Sequence, residues 1–329
     1  MAERGLIFHL GMPKTGTSVL QNAIRLVLDR PEASHLLYPV LHRGKDGIAH
    51  HPMARLLIEG GAAAHGPLVQ ALTEEIDAVV RTGAGRVTAV CSSESFSGLC
   101  GIKFAALLSD FLDGCASRLP TRSVLVIREC ADFLESMFLQ SARFGHMNLS
   151  FEDYVTSRRD WARDLFLGLQ VLQEAQGDRL QIEFQNAGFN ILDCFTPILD
   201  LPAAVLHDAA ANVPSTAKIS LKAQVARSYL DQVEALIGGP VDQKKLAKLV
   251  SRSDFFDGDV QRWSLYNAET WQQTHDMYKD VARSTGFTAY CSAFSDYRAK
   301  DQPFFAFGFD LLKPRDLQKI ADYRAEIAL

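Results

Sequence analysis

Apolar positions along the first two thirds of the chain fall into two alternating patterns. Positions 6–10 form a short apolar run closed by Gly11, after which Val19, Leu20, Ala23, Ile24, Val27 and Leu28 recur at helical spacing. The pattern predicts a strand, a tight turn and a helix. After a polar connection through His65, a helix is predicted over 67–81, with Val69, Leu72, Ile76, Val79 and Val80 on its apolar face and Gly83 and Gly85 ending it. A buried strand over 87–91, a helix over 104–111 and a second buried strand over 124–127 follow. Phe133, Leu134, Met137 and Phe138 return to helical spacing, a further helix starts near Trp161, and 180–184 reads as another strand. Strands alternating with helices, with no hairpin signal between them, predict an α/β fold in which helices cover both faces of a parallel sheet. From about Asn212 helices dominate, over 221–237, 243–250, 268–282 and 317–327. The expected organisation is one domain over 1–329, with an α/β core over 1–211 and a mostly helical C-terminal portion over 212–329.

The first turn carries the densest chemistry. Gly11 and Gly16 let the backbone curl, and Thr15, Thr17 and Ser18 stand where the helix begins, so an anion there meets amides, hydroxyls and the positive end of the helix dipole. A nucleoside-triphosphate loop of the form G-x-x-x-x-G-K-[ST] places lysine directly after the second glycine, beside a hydroxyl that holds magnesium. Here that position is Thr17, and the loop's cation is Lys14, two residues before Gly16. The altered spacing points to a different transferred group. A sulfuryl group carries less negative charge than a terminal phosphoryl group, so a lysine and a few neutral donors suit it without a metal.

Pro13, Lys14, Thr15, Gly16, Thr17 and Ser18, followed by Leu20 and Gln21, resemble the 5′-phosphosulfate loop of sulfotransferases that use 3′-phosphoadenosine 5′-phosphosulfate (PAPS), above all the bacterial and carbohydrate-type members. The resemblance implies a P-loop-type sheet, PAPS as donor and no metal. It also implies a second site for the donor's 3′-phosphate, made in that family by an arginine at a strand end and a serine eight residues later. Arg128 and Ser136 match these positions, although Glu129-Cys130 stands where many relatives have a proline soon after the arginine. The physical case runs in parallel: a guanidinium offers a planar fork that fits a phosphate, and such a charge-assisted bond contributes about 1.5–3 kcal/mol.

A sulfuryl acceptor attacks faster if a base takes its proton. Ser92, Ser93 and Glu94 end the strand over 87–91, and ligands of open parallel sheets bind outside the carboxyl ends of the strands, so Glu94 is expected to share an edge with Lys14 and Arg128. The stretch resembles the Ser-Ser-Glu of bacterial relatives, which implies Glu94 as base and Lys14 as the group that stabilises the departing bridging oxygen. His50 and His51 compete for the base's role, since histidine is a ready base near neutral pH and relatives often carry one after a Tyr-Pro segment such as Tyr38-Pro39. His9, between Phe8 and Leu10 in the first strand, reads as a packed core residue.

Composition narrows the field. The chain has 329 residues, 47% of them hydrophobic and 22% charged, enough for a substantial core. Its net charge of −5 offers no basic excess for a nucleic-acid backbone. No apolar run of 18 residues occurs, and the first strand leaves no room for a leader, so a cytoplasmic chain is expected, as in soluble bacterial-type relatives; the resemblance implies a glycan or small hydroxylated metabolite as acceptor. Six cysteines without a C-x-x-C pair read as reduced core thiols. Phe304, Phe305, Phe307 and Phe309 read as core packing or a dimer contact before an acceptor-docking surface. A magnesium-dependent P-loop kinase or hydrolase, and a non-catalytic nucleotide-binding protein, are the competing functions; the acceptor's identity and the oligomeric state stay open.

Overall fold

The computed structural model describes residues 3–44, 47–83, 85–143, 149–213, 221–250, 252, 255–256, 264–299, 304 and 311–328. Five strands form one parallel sheet: β1 (Glu3–His9), β2 (Leu36–Leu37), β3 (Arg86–Ser92), β4 (Thr121–Arg128) and β5 (Leu180–Gln185), in the order β2-β3-β1-β4-β5. The central strand, β1, pairs with β3 from Glu3↔Arg86 to His9↔Ser92 and with β4 from Leu6↔Thr121 to His9↔Val124. Parallel pairing needs a crossover between strands, and helices supply it: α1 (Thr17–Val27), α2 (His51–Gly60) and α3 (His65–Arg81) lie between β1 and β3, and α4 (Ile102–Ala116) lies between β3 and β4. The helical connection to β5 runs through α5 (Cys130–Arg143), α6 (Phe151–Ser157) and α7 (Arg159–Gln176), and α8 (Ile191–Ile198) and α9 (Ala203–Ala211) follow it. The expected α/β architecture is present.

Burial follows the sequence pattern. Leu6, Ile7, Phe8 and Leu10 of the first strand and its exit are all buried, as are Val124 to Ile127 of β4, so both faces of the sheet are covered. On α1 the stripe Leu20, Ala23, Ile24 and Val27 packs with Ile191, Leu192 and Phe195 of α8 and with Leu206 of α9.

The chain divides into two compact units. The first comprises 1–129, 160–214 and 278–297 and holds the whole sheet; the second comprises 130–159, 215–277 and 298–329. Residues 278–297, grouped by sequence with the helical C-terminal portion, thus belong with the sheet. Aromatic packing explains the return: Phe287 stacks on Phe166 at 5.5 Å, Phe294 meets Phe184 edge-on at 5.7 Å, and the Tyr290 hydroxyl donates to the buried Glu129 carboxylate at 3.2 Å. The second unit has its own core, which includes Val225, Val233, Ile237, Leu246, Phe255, Ile320 and Ile327. Phe304 is half exposed and borders a cavity of this unit with Phe151, Tyr266 and Met277, whereas Phe305, Phe307 and Phe309 lie outside the described residues.

Two helices expected as continuous are each divided. Residues 221–237 form Leu221–Ser228 and Leu230–Ile237, separated at Tyr229 (φ −102°, ψ 54°), and 317–327 falls across Pro314–Asp322 and Arg324–Ile327, separated at Tyr323 (φ −94°, ψ 14°). None of the six cysteines forms a disulfide, and burial pushes the Cys100 and Cys115 thiols up to about 12, which keeps them protonated. No helix among the described residues is long and apolar enough to cross a membrane.

α7 crosses the start of α4 at Gly168, where an added Cβ would strike the Cys100 carbonyl oxygen and lie 2.5 Å from the Gly101 carbonyl carbon and 2.6 Å from Ile102 N. These are backbone atoms that cannot rotate away. Gly168→Ala is therefore expected to destabilise the first unit by about 3 kcal/mol, at the upper end of overpacking costs, read as a lowered urea midpoint; an unchanged midpoint would refute this contact.

Candidate functional site

β1 brings the chain to the carboxyl edge of the sheet between β3 and β4. There Leu10 N–H donates to the Val124 carbonyl at 2.8 Å, and Ser93 N–H donates to the His9 carbonyl at 3.2 Å, so the exit of β1 is held to both neighbours. The loop that follows has two left-handed residues, Lys14 at φ 68° and Gly16 at φ 91°. Gly16 precedes α1 as its N-cap, where a side chain would be strained and its Cβ would meet Ile191 Cγ2 at 3.1 Å. A lysine held in the left-handed region is uncommon and costs roughly 1–2 kcal/mol, a local strain of the kind that accumulates at ligand clamps.

Hydroxyls brace the turn from within. Thr15 Oγ1 donates to the Met12 carbonyl at 2.7 Å, Thr17 Oγ1 donates to the same carbonyl at 3.4 Å, and the two hydroxyl oxygens are 3.3 Å apart. Both threonines are buried, Pro13 and Gly16 are half-buried, and Lys14 and Ser18 are exposed. The first turn of α1 carries no acidic residue, so no side chain of its own offsets the positive end of the helix dipole.

Arg128, at the end of β4, donates through Nη1 to the Lys14 carbonyl at 3.3 Å. The structure thereby brings together two residues that sequence assigned to separate phosphate sites. Ser136, the expected partner of Arg128, sits on α5 in the second unit.

Glu94 opens the short helical turn Glu94–Leu99 directly after β3 and is half-buried. Its neighbours are fixed: Ser95 N–H donates to Ser93 Oγ at 3.0 Å, and His51 Nδ1 lies 2.8 Å from Ser93 Oγ and 2.9 Å from Ser95 Oγ. His51 is itself half-buried at the start of α2.

His50 does not sit where a base must. It is fully buried, its Nδ1 accepts from Ser92 N–H at 3.1 Å, and its Nε2 lies 3.0 Å from the Pro39 carbonyl. A ring that accepts at Nδ1 carries its hydrogen at Nε2 and donates it to Pro39, so neither nitrogen is open to an acceptor's proton. Burial pushes its pKa down to about 4, against the opposing pull of the Pro39 and Ser92 backbone groups. The expectation that His50 is catalytic is corrected on this ground: it ties the segment before α2 to the end of β3.

His9 is also fully buried, as expected of a core residue, and burial pushes it down to about 3. Its surroundings are nevertheless polar: Nδ1 lies 2.9 Å from Ser92 Oγ, to which Gln21 Nε2 donates at 3.1 Å. This Gln21–Ser92–His9 chain escaped the sequence reading. The signal was present in a buried glutamine on the apolar stripe of α1, beside Leu20.

No protein-family model matches the chain, and no curated protein does. Among solved structures, a crystal structure of retinol dehydratase in complex with androsterone and inactive cofactor PAP is similar over 90% of this chain and 82% of that one, at 10% identity and a TM-score of 0.33. A likeness at that level carries no argument about the site.

The buried histidines impose a pH dependence. Because the folded pKa of His50, about 4, lies below the ordinary 6.5, the unfolded chain takes up a proton first as pH falls, and stability is lost between these two values. Within that window the loss is roughly 1.4 kcal/mol per pH unit for this group. His50→Gln is expected to be less stable than the wild type at pH 7, with the gap narrowing from pH 6.5 to 4 in urea titrations; a constant gap would contradict a neutral buried His50.

Proposed function

We propose that the protein transfers a sulfuryl group from PAPS to the hydroxyl of a glycan or small-molecule acceptor, by in-line displacement without a metal ion. The observation that carries this reading is the strained turn at the end of β1: Lys14 and Gly16 left-handed, two hydroxyls closing the turn from within, and Arg128 on the Lys14 carbonyl. Such a turn presents the start of α1 and the Lys14 ammonium to an oxyanion, and its lysine precedes Gly16 instead of following it.

The donor, when bound, supplies a sulfuryl group joined to a phosphate that departs with the bond's electrons. Thr15, Gly16, Thr17 and Ser18 hold the 5′ end with backbone and hydroxyl donors, and Pro13 fixes the approach to the turn. Lys14 sets its charge against the bridging oxygen, where negative charge grows. Arg128 takes the 3′-phosphate, and its hold on the Lys14 carbonyl links the two ends of the donor site. Glu94 takes the acceptor's proton, and its place beside the His51-tethered serines supports that role. His51, tethered to the same serines, orients the acceptor.

Lys14→Ala is expected to abolish transfer while adenosine 3′,5′-bisphosphate still binds, and Arg128→Ala is expected to weaken that binding by about 10- to 100-fold, as loss of a charge-assisted bond implies. Calorimetry and release of the bisphosphate from PAPS with a panel of hydroxyl acceptors read the two effects separately. Unchanged affinity in Arg128→Ala would remove the second phosphate site. Glu94→Gln should lower turnover at unchanged donor affinity, and transfer by the wild type should persist in a metal chelator. Binding of magnesium ATP in preference to the bisphosphate would replace this reading with that of a kinase or hydrolase.

A further inference from the structure

The wall of the loop beneath α1 contains a group that the roles above leave unused. His9 Nε2 is completely buried and has no hydrogen-bond partner among the described residues. An unmet polar atom at such depth is costly, and most buried polar atoms find a partner.

The hydrogen-bond chain behind the ring bears on which kind of atom Nε2 is. Gln21 Nε2 approaches both the Ser92 carbonyl oxygen, at 3.3 Å, and Ser92 Oγ, at 3.1 Å. A carbonyl only accepts, so the Gln21 atom facing it is the amide nitrogen, and the serine oxygen beside it also receives an N–H. The Ser92 hydroxyl has one hydrogen of its own to give; His9 Nδ1 stands 2.9 Å away, and the Tyr38 hydroxyl, which gives its own hydrogen to the Ile48 carbonyl, is the other side-chain partner of Ser92. An imidazole that accepts at Nδ1 and stays neutral carries its hydrogen on Nε2. Burial, which holds the ring neutral far below physiological pH, agrees. With the Ser92 hydrogen on His9 Nδ1, Nε2–H is a donor without a partner among the described residues, and the tautomer is the property the spectrum below reads.

Its direction follows from Gly11. A Cβ placed on that glycine would lie 2.5 Å from His9 Nε2 and 2.7 Å from Thr17 Oγ1, so these two polar atoms converge on the space beside the bare Cα at the entrance of the loop. Thr17 begins α1, where an oxyanion is attracted by the helix end.

We propose that His9 is an anion-binding residue of the loop: its Nε2–H, oriented by Gln21 and Ser92, donates to a phosphate or sulfate oxygen seated at the start of α1, and the Thr17 hydroxyl turns to the same oxygen from its long 3.4 Å bond to the Met12 carbonyl, which Thr15 keeps at 2.7 Å. The donor is neutral, so it adds a directed hydrogen bond without adding charge, and Lys14 remains the loop's cation. Gly11 is required because any side chain would fill the gap that the oxygen and the imidazole share. The identification of the anion as the PAPS 5′ end rests on the function proposed above; the anion site itself does not.

Nitrogen-detected imidazole NMR on the full-length wild-type protein tests the idea without a substitution. The expected spectrum assigns His9 as the Nε2–H tautomer, and both its Nε2 and Hε2 signals shift on titration with adenosine 3′,5′-bisphosphate and with inorganic pyrophosphate. Shifts with pyrophosphate alone would support the His9 site while sinking the PAPS reading. Binding of the bisphosphate, seen by calorimetry, with both His9 signals unmoved would overturn the His9 proposal and leave that reading intact, as would an Nδ1–H tautomer. Signals unmoved by either probe would assign His9 to packing. His9→Phe keeps a ring against Phe195, which meets the imidazole edge-on at 4.8 Å; it is expected to bind the anion about 10- to 100-fold more weakly. Ser92→Ala, which frees the tautomer, should fall between this variant and the wild type, and equal affinity in all three proteins would count against the relay.

Discussion

Everything at the carboxyl edge of the sheet depends on how tightly β1 is held as it leaves the core. Leu10 is tied to β4 and the His9 carbonyl receives a bond from the residue after β3, so the chain enters the loop at a fixed height between two strands. From that point the turn has only a few residues in which to reverse and start a helix. Such a turn forces positive φ at Lys14 and Gly16, and it needs hydroxyls at Thr15 and Thr17 to hold the Met12 carbonyl. Glycine meets the first demand freely, but lysine does not. The Arg128 guanidinium on the Lys14 carbonyl is one of the contacts that hold this unfavourable conformation in place.

Ser92 is the second constraint, because it serves both neighbouring segments. Its backbone amide donates to His50 and its carbonyl accepts from His50 N–H at 2.9 Å, which fastens the segment before α2; its side chain faces His9 and Gln21. Two buried histidines are thus oriented by one serine, and neither can gain a proton without breaking a hydrogen bond that the fold uses. Glu94 and His51 lie in the half-buried layer just beyond.

Much of this was legible in the sequence where burial is two-sided. β1, β3 and β4 were recognisable because strands covered on both faces are continuous apolar runs, and α1, α3 and α4 because one face of each repeats with helical period. β2 was not, since two residues, Leu36 and Leu37, have no period to detect. α2 was read as a connection, although Pro52 near its start is a helix-initiating signal and Met53, Ala54 and Leu57 form its buried face. The breaks at Tyr229 and Tyr323 were invisible for a different reason. Val233 and Ile237 beyond the first, and Ile320 and Ile327 on either side of the second, pack into one core, so the apolar pattern continues while the backbone does not. Residues 278–297 illustrate the limit most plainly: their helical period is clear, but only the facing rings of Phe166 and Phe184 decide which unit they join.

The chemistry was legible to the same degree and for the same reason. The positions of Lys14, Gly16 and Arg128 could be anticipated because each stands at the end of a recognisable element; the roles assigned to them belong to the proposal. The histidines could not, because a ring's role depends on what each nitrogen faces. His50 and His51 are adjacent in sequence, yet one closes a backbone seam and the other reaches the hydroxyls of Ser93 and Ser95. Along β3 and its exit, Ser92 turns toward His9 while Ser93 turns toward His51, the opposite-face alternation of an extended chain. The Ser-Ser-Glu stretch is therefore three positions with three duties: the first fixes the floor, the second anchors the rim, and the third, Glu94, follows an anchored residue at the edge where an acceptor would arrive. A one-residue slip in the register of β3 would exchange the first two duties and separate the loop from its rim, which makes the pairing of His9 with Ser92 the alignment on which the site's geometry turns.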